Sequence, residues 1–132
     1  MRALTEEWVN KPEKDIFTVK LVLGVQEPMT EIAAFHSQQC AEKYLKAYLQ
    51  EIEIEFPFRH PLLPLLELCI SVDDTFEMLR DDLRRLDGYA TAVRYPGMTV
   101  SNELAESAFA AAERVRAFIR RKLGLSPDST VW

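Results

Sequence analysis

Residues 34–50, AFHSQQCAEKYLKAYLQ, constrain this chain more than any other stretch. Wound at about 100° per residue, they separate into two faces, the mark of an amphipathic helix. Ala34, Ala41, Tyr44, Leu45, Tyr48, Leu49 and, just beyond, Ile52 fall on one side and read as core. His36, Gln39, Lys43, Lys46 and Gln50 fall on the other, in a stripe roughly 80° wide, with Glu42 at its edge. Their alternating steps of 3 and 4 keep them in one row along the helix. A solvated face ordinarily mixes acids with lysines. This row holds an imidazole, two amides and two ammonium groups, with no acid inside it. Such a row suits a phosphate or a partner surface.

The remaining segments also read as helices. Glu51–Phe58, EIEIEFPF, alternates like a strand but has no partner, so it reads as a fraying helix end and a loop. The first helix has Thr5 as cap candidate and runs to Gly24. Pro12 removes a donor and predicts a kink, or a restart near Asn10. Pro28 and Thr30 open the second helix, over 30–53, and a short third covers 61–71. The fourth is capped by Asp73 or Asp74 and runs to Val93, with the row Phe76, Leu79, Leu83, Leu86, Ala90, Val93 forming a bundle seam. Ser101 caps the fifth, which buries Leu104, Ala108, Ala111, Val115, Phe118 and Ile119 and ends at Gly124. Arg114, Arg116, Arg120, Arg121 and Lys122 crowd its C-terminal half, where positive charge suits the helix dipole. The expected fold is all-α: an up-and-down four-helix bundle with an additional short helix. One domain spans 1–132, with its core at about 5–123 and a loose tail at 125–132.

Composition narrows the function. A net charge of −5 and a pI near 5.1 argue against strong nonspecific binding to duplex nucleic acid, while leaving room for a local basic patch. No apolar run approaches the roughly 20 residues of a membrane span. The opening MRALTEEWVNKPEKD lacks a signal core, so a cytoplasmic location is expected. Cys40 and Cys69 are isolated and predict neither a disulfide nor a metal site; Cys40 reads as a small interior residue. Four scattered glycines make no phosphate loop, and no cofactor is assigned. Trp8, Phe17, Phe56, Phe58 and Phe76 offer more aromatic surface than one small core hides, which predicts a homodimer.

Each polar candidate has a plain reading beside a functional one. His36 is a structural donor, or a phosphate contact that strengthens as pH falls. Lys43 and Lys46 are solvated, or point charges for a phosphate. Gln39 caps a neighbour or reads a base edge. Arg94 serves the helix dipole or a salt bridge to Glu42, or else grips an anion in bidentate fashion. Tyr95-Pro96-Gly97 is a helix stop, and Tyr95 could stack on a base. His60 is a cap or loop residue.

AFHSQQCAEKYLKAYL resembles the signature helix of HEPN domains, the helical domains named for higher eukaryotes and prokaryotes nucleotide-binding. The matching residues are Phe35, His36, Gln39, Glu42, Lys43, Leu45 and Lys46. FRHPLLPLL, with His60, is similar to the family's His-Asp-Leu element, with Pro61 in place of the acid. Ala92-Val93-Arg94-Tyr95-Pro96 is similar to its A-R-Y-P element, and Trp8, Lys14 and Asp15 also fit. The resemblance covers about residues 5–123. It implies an all-α, commonly dimeric protein, often encoded with a minimal nucleotidyltransferase as a toxin–antitoxin module. It also brings a check. Many members are metal-independent ribonucleases with an R-x(4–6)-H motif. No arginine precedes His36 or His60 at that spacing and no histidine follows Arg94, so no catalytic residue is assigned. The expected ligand site is His36, Gln39, Lys43, Lys46, Arg94 and Tyr95, binding a nucleotide or RNA. An enzyme with a non-standard site and a dimerising scaffold with no ligand remain as alternatives.

Overall fold

A computed structural model describes residues 1–59, 61–92 and 96–128, Ala92 by its backbone alone. Helix α1 spans Ala3–Leu23, α2 Thr30–Glu51 and α3 Leu62–Ile70. A 3₁₀ turn at Asp74–Leu79 runs into α4, Arg80–Leu86; α5 is a single turn, Tyr89–Ala92, and α6 spans Asn102–Lys122. The described residues contain helices and links and no strand, so the expected helical bundle with an extra short helix is what forms.

Helix α2 is the hub, in contact with α1, α3, α4, α5 and α6. Its sequence permits this because Ala33, Ala34, Ser37, Cys40 and Ala41 are small and fully buried. α6 packs on α2 and brings Ala105, Ala108, Ala111 and Ala112, equally small and equally buried. α1 runs antiparallel to α2. The Arg2 amide and the Thr5 hydroxyl donate to Glu51 at one end, and the Met29 amide donates to the Val22 carbonyl at the other. α6 runs parallel to α2, since the Val100 amide meets Glu31 near both N-termini and Arg120 reaches Tyr44 further along.

Several boundaries differ from the sequence reading. Thr5 lies inside the first turn of α1, buried and turned toward Glu51; Arg2 is the N-cap and makes no side-chain cap bond. α1 does not restart near Asn10 but passes through Pro12, which is buried. Proline there leaves the Trp8 carbonyl without its helical partner, a cost of about 3 kcal/mol that the packing of α1 along α2 outweighs. Met29, not Thr30, caps α2, and the Thr30 hydroxyl donates to Glu31 instead. α2 stops at Glu51. Glu53 takes a left-handed φ of 59°, and the Ile54 amide returns to the Leu49 carbonyl in a Schellman closure.

The long fourth helix is broken. Asp73 accepts from the Thr75 amide and starts a 3₁₀ turn, and the helix leaves its path at Asp87. The Asp87 carboxylate accepts from the Leu62 amide at the start of α3, and Gly88 supplies the φ of 93° that the corner needs. The seam residues Phe76, Leu79, Leu83 and Leu86 are buried as expected, because they keep one side through the change of helix type. Val93 lies outside the described residues. The segment after Gly124, expected to be loose, is held where it is described: Arg120 donates to the Ser126 carbonyl and Arg116 to that of Pro127. No helix among the described residues is long and apolar enough to cross a membrane.

Candidate functional site

Charged side chains meet α2 from both sides, and the two sides differ in kind. On the inner side, Glu13 of α1 is fully buried. Arg116 of α6 donates to it twice, at 2.6 and 2.8 Å, and the Tyr44 hydroxyl donates to the same carboxylate. Arg120 donates to the Tyr44 oxygen at 3.2 Å. Burial opposes ionisation of Glu13, but the hydrogen bonds from Arg116 and Tyr44 win and hold its pKa below the ordinary 4.5. Burial, and then the bond to Glu13, push the Tyr44 hydroxyl well above the usual phenol range. This network ties three helices together.

On the outer side lies the predicted polar row, and it is less open than its composition suggests. Asp15 of α1 accepts from His36 Nδ1 at 2.7 Å and from Lys43 Nζ at 2.8 Å. A carboxylate only accepts, so Nδ1 carries the imidazole proton. Lys46 Nζ lies 2.8 Å from Glu42 in a buried pair, 5.8 Å from the Trp8 ring centre and 5.9 Å from that of Phe56. Gln39 donates to the Gln38 oxygen at 2.7 Å, and Gln38 donates to Glu42. The expectation of a solvent-facing row free of acids is therefore corrected. Gln39, Glu42 and Lys46 are buried, and α1 supplies the missing acid. Lys46 is a packed ion-pair partner of Glu42. His36 and Lys43 keep partial exposure, 30% and 24% at the side chain. Gln50 belongs to a different depression, beside Arg2, Phe56 and Phe58. Arg94 and Tyr95, and with them the proposed Arg94–Glu42 bridge and the end of the fourth helix, lie outside the described residues, as does His60.

Between α1 and α2 runs a cleft of about 390 Å³. Leu4, Glu7, Trp8 and Lys11 form one wall, and Gln39, Glu42, Lys43 and Lys46 form the other. Three of the predicted site residues thus converge, joined by Trp8, Lys11 and, behind Lys43, Asp15. Those three were legible in principle. Leu4, Trp8, Lys11 and Asp15 are spaced 4, 3 and 4 apart, which places them in one row on α1. Reading them as a wall required knowing which face of α1 meets α2.

The cleft lining offers an indole, a side-chain amide and, beside the Lys46–Glu42 pair, two lysines with different commitments. Lys43 is shared with Asp15, whereas Lys11 is exposed and has no hydrogen bond or ion pair among the described residues. Both cysteines are buried thiols: burial pushes Cys40 far up, and burial with the nearby Asp73 pushes Cys69 up to about 12, which disfavours the thiolate. Among the described residues no three His, Cys, Asp or Glu side chains gather in a way that could hold a metal ion.

No curated protein and no solved structure matches the chain closely enough to serve as a relative. A family model does match, that of the HEPN domain, over residues 5–122. That span contains both charge clusters and, Leu4 excepted, both walls of the cleft, from Thr5 of α1 to the last residue of α6. The chain belongs to the HEPN domain family.

Proposed function

We propose that this chain is the nucleotide- or nucleic-acid-binding member of a two-protein module of toxin–antitoxin type, that its partner is a minimal nucleotidyltransferase, and that it works as a homodimer. Membership of the HEPN family supports a nucleotide- or RNA-related function. The observation that carries the binding role is the meeting of Gln39 and Lys43 with Trp8 and Lys11 across one cleft. Support for the dimer is narrower than the aromatic content suggested. Phe76 is fully buried and Trp8 and Phe56 are half-buried, which leaves Phe17, 43% exposed, and Phe58, 85% exposed. Thermal unfolding with ATP, GTP and short RNA, with and without magnesium, tests the binding role. A ligand at 100 times its Kd adds about 2.7 kcal/mol, a rise of several degrees. Failure of every nucleotide and RNA to raise the midpoint rejects it. Co-purification with a nucleotidyltransferase encoded beside it tests the partner, and light scattering tests the dimer.

One observation favours a second reading, an RNA- or nucleotide-processing enzyme. Asp15 fixes the tautomer of His36 and leaves Nε2 as the basic nitrogen, the arrangement used to orient a general base. RNA or nucleotide turnover that survives repurification and disappears in His36→Ala would establish it.

A further inference from the structure

Resting on that binding reading, we infer that the α1–α2 cleft takes a single mononucleotide, its base against Trp8 and its phosphate between Lys11 and Lys43, and not the backbone of an RNA strand.

Size and charge both point to one nucleotide. A cleft of about 390 Å³ lies at the small end of ligand sites, which run from roughly 300 to 1,000 Å³. Its cations are few. Lys46 lines the cleft but is buried against Glu42, so its charge is already neutralised. Lys43 has Asp15 as counter-ion and can lend only part of its charge. Lys11 alone is fully available. A strand-tracking groove needs a succession of cations, because each phosphate met adds its own electrostatic contribution. Here one phosphate satisfies the supply, and the chain's net charge of −5 repels a longer polyanion.

The indole supplies the other half. Trp8 meets Phe56 edge-on, at 5.6 Å between centres and 77° between planes, so Phe56 does not stack on it; Lys46 Nζ lies over the ring at 5.8 Å from its centre, so a base must take the side that Lys46 does not cover. Base stacking on an aromatic ring strengthens binding and tolerates any base. The Gln39 amide, on the opposite wall, is buried and already donates to Gln38, which leaves it little capacity to select among bases. The site should therefore accept purine and pyrimidine monophosphates alike. Glu7 is the discordant group. It is exposed, lines the same wall one turn before Lys11, and opposes a phosphate there.

The test uses the Trp132→Phe chain, in which Trp8 is the sole tryptophan. Its emission is followed with AMP, CMP, GMP, UMP, inorganic phosphate and a short single-stranded RNA, beside calorimetry of the same titrations. The expected result is saturable quenching by all four monophosphates, with inorganic phosphate binding at least tenfold more weakly. Lys11→Ala should weaken binding about fivefold and Glu7→Gln should tighten it by a similar factor, which is one unit charge at close range in water. Both residues are exposed, so circular dichroism should show each variant folded as the parent. RNA bound more than tenfold more tightly than a monophosphate overturns the inference. So does calorimetric binding that leaves Trp8 emission and both variants unchanged; that outcome puts the ligand elsewhere and leaves the nucleotide-binding reading standing. Absence of heat with every nucleotide and with RNA rejects both.

Discussion

Lys43 and Tyr44 are neighbours in sequence, yet they answer to different carboxylates on α1: Lys43 to Asp15, Tyr44 to Glu13. Two positions apart on a helix is a rotation of about 200°, so those carboxylates point to opposite sides of the α1–α2 contact. The inner cluster is closed. Glu13 is wholly buried, and its donors come from two other helices. The outer cluster is half-open, with His36 and Lys43 on Asp15 still reachable by solvent. Similar groups are thus suited to two jobs. A buried pair with every hydrogen bond made fixes how helices assemble, and a partly exposed pair can exchange one partner for a ligand.

The contrast is broken or sharpened most forcefully at Glu13. Glu13→Gln removes the buried carboxylate charge that Arg116 and Arg120 pair with, and should lower stability by about 3–5 kcal/mol in chemical denaturation. A loss under about 1 kcal/mol would show that the inner cluster is not the clamp its geometry describes. Its pH dependence has a definite sign. The folded pKa of Glu13 lies below the ordinary 4.5, so its contribution is fully present above that value and is lost as pH falls through the folded pKa. The stability gap between the parent and Glu13→Gln should hold from neutral pH to about 5 and narrow at more acid pH.

Lys46→Met comes next. It removes the ammonium that neutralises buried Glu42 and sits near Trp8 and Phe56, and should cost about 3 kcal/mol. This separates Lys46 from Lys43, three residues earlier in the same row. Asp15→Asn should cost less, about 1–3 kcal/mol, because its partners can turn to water when the carboxylate is gone. It should also free Lys43, so nucleotide affinity should rise in the variant even as its melting temperature falls. A fall in both would assign Asp15 to the ligand rather than to holding Lys43 back.

How much of this could be read from the sequence follows from what periodicity records. The apolar positions of α2 and α6 announced their helices and most of their buried faces, although Leu104, expected to be buried, is exposed; Ser101 announced a cap that forms as expected, accepting from the Leu104 amide. The break at Asp87 was hidden because Leu83, Leu86 and Ala90 keep the seam spacing across it. Only the pairing of Asp87 with Leu62, twenty-five residues away, gives the corner its reason. The polar row was found but its exposure was misjudged. A helical wheel shows which residues share a side and is silent on whether another helix covers it. Trp8 and Phe56 enclose Lys46 from outside α2, and Asp15 reaches Lys43 from α1, both contacts that depend on the packed fold.

The smallest stability effect belongs to Lys43, and it decides most directly what the outer side is for. Its ammonium is one of two donors on Asp15 and its side chain is 24% exposed, so the bridge is screened and His36 remains to satisfy the carboxylate. Lys43→Ala should therefore change stability by less than about 1 kcal/mol. Lys43 also lines the cleft, where on the proposed reading it shares a phosphate with Lys11. The same substitution should weaken nucleotide binding severalfold and reduce the sensitivity of that binding to salt. Stability and binding are thus expected to part company at Lys43, whereas at Glu13 only stability should move. If Lys43→Ala instead lowers the melting temperature markedly, or dissociates a dimer with no change in nucleotide affinity, then the outer side is structural like the inner one and the chain acts through its protein contacts.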